Sequence, residues 1–422
     1  VRTRKIYYCT LYIMLPIPTS TSTDGTRVSV RVRPTWLRLM NGDADINNIL
    51  EILFKINDRN STIKTEIYGG TCQFLAMASI IAVNPSLLES AGYNKQLIAS
   101  STCIACGFTC ILMGLVGNFP FVCAPSFATA IYLSVYLQTN QIDIESGNVS
   151  VFILGLLLML CGIRCINDII FWYTPMAIKL GICIGLSLLV SLEALTQLEL
   201  VVAGQFTVVA LGNIWSNKSI IAMVSFSFIG ILLHHGYKGA YVIGLCVGSL
   251  AYWTVENDFP TAIMSTGSEH PLVASALFTD DWTDPTVWTC AVELFVIAVV
   301  KLTGLSVGLA ELAGLNKSDG SGAPRRRWLY VACGLGTCIS ALYGSGPVLL
   351  VVESAAGILV GARTGLSAVV CGLLFFVAYF FHPLFAAIPI AATGPVLLMV
   401  GMLLFHNTGK VNWHVTKEIG RA

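Results

Sequence analysis

Lys301 and Glu353 carry opposite charges within apolar surroundings, Lys301 in VIAVVKLTGLSVG and Glu353 just beyond the Gly346-Pro347 pair. An ionisable side chain at membrane depth costs several kcal/mol unless it is paired or hydrated, so such a residue marks a proton or solute site by default. Lys301 is too deep to snorkel to the interface, and Glu353 is its natural partner. The residues alone support two roles equally, a static strut and the charged floor of a solute site. Glu293, eight residues before Lys301, shares its helix face at about 12 Å. It stands close enough to the helix end to reach the interface.

These residues need elements that can hold charge within hydrocarbon. Transporters built from inverted repeats do so with broken helices, visible as Pro- and Gly-interrupted apolar segments in matching positions of the two halves. Pro125, followed by Ser126, interrupts NFPFVCAPSFATAIYLS, and Gly346-Pro347 interrupts YGSGPVLLVVESAAGILVGARTG. The two segments are seven spans apart, the offset expected of two seven-helix repeats. Proline is also common in membrane helices for blander reasons.

The whole chain suits that reading. Of 422 residues, 55% are hydrophobic and only 11% charged, against roughly 25% in a soluble domain, so lipid must cover much of the surface. Apolar runs predict about twelve spans, near 66–84, 96–117, 120–137, 149–170, 175–197, 218–236, 239–255, 287–307, 328–345, 347–361, 364–381 and 384–405. Residues 1–60 are polar, lack the apolar core of a signal peptide, and read as a disordered cytoplasmic tail. Arg164, Lys179, Lys238, Lys317, Arg325, Arg326, Arg327, Arg363 and Lys410 then fall on the cytoplasmic side, while the opposite loops are acidic. That topology places the sequons at Asn148 and Asn217 outside, where glycosylation would be available.

Several function classes are excluded. The 24 Lys and Arg nearly balance the 23 Asp and Glu, leaving no basic excess for nucleic acid. No phosphate-binding glycine loop supports ATP-driven pumping, and no nucleophile and base can be paired for an enzyme. Cys103 and Cys106 form a C-x-x-C, but no second pair or nearby histidine completes a metal cage, so packing between helices is their expected role. The six histidines show no metal-binding spacing, and no cofactor is expected.

The stretch ESAAGILVGARTGLSAVVCGLLFFVAYFFHPLFAAIPIAATGPVLLMVGMLLF closely resembles permeases for adenine, guanine and hypoxanthine, the AzgA-type branch of the xanthine/uracil permease superfamily. FLAMASIIAVNPSLLESAG, ILMGLVGNFPFVCAP and KLTGLSVGLAELAGLNKSDG resemble the same family, in order, from about Phe54 to Trp413. The resemblance implies an all-α membrane fold of two inverted seven-helix repeats, with about twelve of fourteen helices in this sequence and helices 3 and 10 broken. A core (66–170 and 287–381) would move against a gate (175–255 and 384–405). It also implies proton-coupled purine uptake at the plasma membrane, with Glu353 matching the family's helix 10 carboxylate. Relatives of this fold are often dimers, so a homodimer is among the assemblies implied.

The chain departs from the family pattern at several site positions. On helix 3, A-P-G-M-G-L-N-A is replaced by Ala124-Pro125-Ser126-Phe127-Ala128-Thr129-Ala130-Ile131, so the purine-binding Asn becomes Ala130. Lys301 takes the place of the helix 8 Asp. The Thr and Tyr of helix 1 become Ala76 and Ser79, and the polar run before Glu353 becomes Gly344 to Leu350. The expected site is therefore Glu353, Lys301, Pro125, Ser126, Ala130 and Gly346, with Glu353 coupling the proton. A purine or other small polar solute is the expected cargo. The alternatives are an anion carrier on the same fold, favoured by Lys301, and a non-transporting remnant, suggested by the two absent helices.

Overall fold

The computed structural model describes residues 46–78, 80–89, 91–173, 176–204, 207, 209–235, 237, 240–257, 259, 280–315, 325–383 and 388–405. Ser79, Lys238, Lys317 and Lys410 lie outside the described residues, as does the chain before residue 46.

Long apolar runs become helices because only a helix or a closed barrel bonds its own backbone in hydrocarbon. In chain order the helices are α1 (Ile46–Phe54), α2 (Ile63–Met77), α3 (Ile80–Glu89), α4 (Lys95–Leu112), α5 (Phe127–Asn140), α6 (Ile144–Cys161), α7 (Arg164–Tyr173) and α8 (Met176–Gln197). They continue with α9 (Asn217–His234), α10 (Ala240–Glu256), α11 (Pro285–Leu312), α12 (Arg327–Leu342), α13 (Ser354–Val360), α14 (Gly365–Phe380) and α15 (Ile390–Phe405). Asp284 starts α11 by accepting from Thr286 N at 2.9 Å, and that backbone donor holds its carboxyl below the ordinary carboxylate range. Every one of the expected spans overlaps a described helix. Among the described residues, Gln96–Gly117, Ile144–Cys161, Asn217–His234 and Pro285–Leu312 are long and apolar enough to cross a membrane.

Four expectations are corrected. The fold is not wholly helical: β1 (Cys123–Pro125) pairs with β4 (Val348–Leu350), and β2 (Val201–Val202) with β3 (Ala210–Leu211). The expected tail to residue 60 is ordered from Ile46, because α1 and the turn after it bury Phe54 and Ile56 against Leu366. The fourth span is Ile144–Cys161, and the chain breaks at Gly162. Arg164 and Asp168 could not stay in a span, and they belong instead to α7, where Asn167 and Phe171 face inward and Ile166 and Ile169 outward. Finally, Asn148 is closed to glycosylation: it is buried within α6 and accepts from the Tyr93 hydroxyl at 3.1 Å.

Packing divides the helices into two sets. In one, α6 packs on α12, α4 on α14, and α2 on α13 and α14; in the other, α8, α9 and α10 gather around α15. α11 touches both, lying against α6 and α8. The α6–α12 contact is close because a Cβ on Gly155 would come within 2.8 Å of Gly334 O, which is the role of small residues between membrane helices.

The ARTG segment has a structural task. Gly361 ends α13 at φ +116°, a conformation that side chains resist. The turn then aims the Arg363 and Thr364 backbone N–H groups at the buried Glu66 carboxylate, at 2.8 and 3.1 Å, and Ser61 Oγ adds a third bond at 2.6 Å. Arg59 donates to the carbonyls of Asn118 and Arg363, tying the turn after α1 to the same junction. A buried donor left unmatched costs about 1–3 kcal/mol, so Glu66→Ala is expected to lower stability by about 2–4 kcal/mol. Thermal unfolding in detergent checks this; an unchanged melting temperature contradicts it.

Candidate substrate site

The site forms where two helices are interrupted. Pro125 and Pro347 remove backbone donors, and each chain enters its half-helix from a short extended segment, β1 before α5 and β4 before α13. The extended segments pair antiparallel, with Cys123 opposite Leu350, Ala124 opposite Leu349 and Pro125 opposite Val348. Side chains satisfy much of the remaining backbone. Gln73 Nε2 donates to Pro120 O (2.8 Å) and Ser354 O (3.1 Å), Thr337 Oγ1 donates to Val348 O (3.0 Å), and Ser354 Oγ accepts from Val122 N (3.0 Å).

A cavity opens beside this ladder, at the contact between the two helix sets. Pro125 and Ser126 reach it from the start of α5, Lys301 from α11, and Val351, Val352 and Glu353 from the end of β4. From the other set come Leu189, Val190, Glu193 and Gln197 of α8, with Thr393 and Leu397 of α15. Met77, Ile80, Val83 and Asn84 close a further wall.

Four of the six expected site residues therefore meet here, and two do not. Ala130 is buried one turn beyond the break, where α3 and α11 pack across α5. Gly346 precedes β4 next to Leu88 and is not among the cavity's lining residues. The expected direct pairing of Lys301 with Glu353 is also replaced. The Lys301 ammonium donates to the Ser126 hydroxyl, and it forms no direct ion pair with Glu353. The antiparallel ladder explains this, because Ser126 follows the end of β1 while Glu353 follows the far end of β4. Lys301 still interacts electrostatically with Glu353. Glu293 is exposed and accepts from the Tyr132 hydroxyl, away from the cavity.

The structure adds polar residues that sequence reasoning missed, Glu193 and Asn84 among them. Glu193 interacts electrostatically with Lys301 and Glu353, and its Oε1 accepts from Gln197 Nε2 at 3.3 Å. As a lone acid in SLLVSLEALTQ, it was open to the same argument from isolated charge. It lies four residues before the end of the expected 175–197 span. Asn84 lines the cavity and donates to Thr102 Oγ1 at 2.8 Å, while its buried Oδ1 has no hydrogen-bond partner. No local pattern singled it out. The cavity's ionisable side chains sum formally to −1: Lys301 contributes +1, Glu353 −1 and Glu193 −1.

Breaks paired at the contact of two helix sets, with charges gathered beside them, define a membrane transporter rather than an enzyme. The family model Xan_ur_permease, described as "Permease family", matches residues 64–418, and the chain belongs to that family of multi-pass membrane permeases. It is 29% identical over 379 residues to the adenine permease AdeP of Escherichia coli (strain K12), covering 88% of this chain and 83% of that one. It is 28% identical over 383 residues to the guanine/hypoxanthine permease PbuO of Bacillus subtilis (strain 168), covering 88% and 87%. Among solved structures, the transmembrane domain of a cyanobacterium bicarbonate transporter, BicA, shares the fold, with TM-score 0.58, 17% identity and coverage of 81% of this chain and 89% of that one.

Lys301 and Glu353 interact electrostatically without a direct ion pair, and interacting residues show coupling energies of about 0.5–3 kcal/mol. Lys301→Met is therefore expected to destabilise the protein, and adding Glu353→Gln should recover more than about 0.5 kcal/mol of the loss. A double-mutant cycle of thermal unfolding checks it; additive effects would show that the two charges do not sense each other.

Proposed function

We propose that this permease carries a purine nucleobase across the plasma membrane together with a proton. β1–α5 and β4–α13 are the equivalent broken elements of two inverted repeats. The N-terminus is cytoplasmic, and the set holding α2–α6 and α11–α14 works as a core moving against a gate of α8–α10 and α15. The observation that carries the reading is the composition of the cavity at the ladder. Val351, Val352, Leu189, Val190 and Leu397 offer apolar walls for the faces of an aromatic ring. Lys301, Ser126 and Glu353 offer donors and acceptors for its edge. A purine edge presents both ring N–H groups and acceptor nitrogens or a carbonyl, and a site that meets them discriminates through the cost of leaving any unpaired. The adenine and guanine/hypoxanthine permeases among the relatives support the same cargo.

An anionic cargo is the second reading on the same fold. Lys301 favours it, but Glu193 turns the formal charge of the cavity negative and weakens it.

Glu353 faces the cargo and takes part in proton coupling. Uptake of labelled adenine and hypoxanthine, in cells lacking purine carriers, is expected to rise at acidic pH. Glu353→Gln at equal surface level should lower it by about tenfold or more, the equivalent of one good charged hydrogen bond. Absence of uptake by a wild-type protein present at the surface overturns the reading.

A further inference from the structure

Glu193 belongs to the opposite helix set from Glu353, with Lys301 on α11, the helix that touches both sets. It projects from α8, which packs on α15, α11 and β2, whereas Lys301 and Glu353 stand on α11 and at the start of α13. α15 and β2 carry no ionisable residue, so the charged groups facing Glu193 from neighbouring elements are Lys301 and Glu353. Its carboxylate keeps capacity beyond the single 3.3 Å bond from Gln197. A relative movement of the two helix sets changes the separation of Glu193 from Glu353, and with it the balance of charge around Lys301.

From this placement we infer that Glu193 is a second proton-linked residue of the substrate site, set on the gate side and working against Lys301 across the seam between the helix sets. The inference rests on the transport reading. With Lys301 charged and both carboxylates ionised the site holds a net −1, and one proton from solution brings it to zero. A neutral solute then crosses with one proton on the carboxylate pair, and release of that proton on the far side restores the starting charge. Lys301 needs one carboxylate as counter-ion, which leaves the second free to titrate. Glu193 thereby explains how a permease with lysine in its site can still be driven by protons.

Removing the second acid should uncouple transport from the proton. Glu193→Gln leaves Lys301 balanced by Glu353 with no proton bound, so the variant should move purine downhill only. In cells lacking purine carriers, wild-type uptake should vary with pH by up to about tenfold per unit, the limit for a single linked proton. Uptake by Glu193→Gln should be flat with pH and should equilibrate rather than concentrate the purine, and Glu193→Asp should restore acid stimulation. A Glu193→Gln protein that concentrates purine with the wild-type pH profile overturns the inference, as does one that reaches the surface and carries nothing at any pH. Should Glu193→Gln fail to reach the surface, the pH midpoint of Glu193→Asp decides: a displaced midpoint supports the role, and the wild-type midpoint overturns it. Failure of the transport reading looks different, because the wild type itself then takes up no purine.

Discussion

Backbone groups at membrane depth must find partners, and the structure turns on how two broken helices meet that demand. An isolated break would leave N–H and C=O groups unbonded in a medium without water, at several kcal/mol each. Here each break supplies the other's partners through the β1–β4 ladder, and Gln73, Thr337 and Ser354 take up backbone groups around it. The rest follows from that arrangement. The two extended segments must lie side by side, the helices carrying the supporting side chains must pack around them, and a polar cavity is left beside the ladder.

The same ladder sets the electrostatics. Because it is antiparallel, Ser126 and Glu353 stand at opposite ends, and Lys301 binds the hydroxyl while remaining within the field of the carboxylate. A lysine with one close acid would form a static pair. A lysine shared between Glu353 on one helix set and Glu193 on the other is a different object, since its balance depends on how the sets are disposed. Under the proposed movement of core against gate, charge in the cavity is tied to conformation, which is what coupling to a proton gradient would require.

Much of this was legible in the sequence, and the boundary between what was and was not has physical causes. Pro125, Pro347, Lys301 and Glu353 announced themselves because a helix breaker or a charge in an apolar run is costly wherever the chain folds. The pairing of the breaks was not legible. A three-residue strand has no periodicity to detect, and its register exists only in three dimensions. That register replaced the Lys301–Glu353 contact with a bond to Ser126. Ala130 failed for a related reason, since it was placed by alignment to a family motif while its burial is set by α3 and α11 crossing α5. Glu193 lay within reach of the isolated-charge argument, four residues before the end of the expected 175–197 span. Asn84 gave no signal at all, because an asparagine in a proline-containing helix has many local explanations.

The central claim is that a lysine shared by two carboxylates makes the loaded site neutral only when a proton accompanies a neutral cargo. Its most direct test is the ratio of protons to purine moved by the purified wild-type protein in proteoliposomes, with internal pH and labelled hypoxanthine followed together. The charge sum of the cavity, +1 from Lys301 and −1 from each of Glu353 and Glu193, predicts one proton for each purine. Purine entry with no accompanying proton would contradict it.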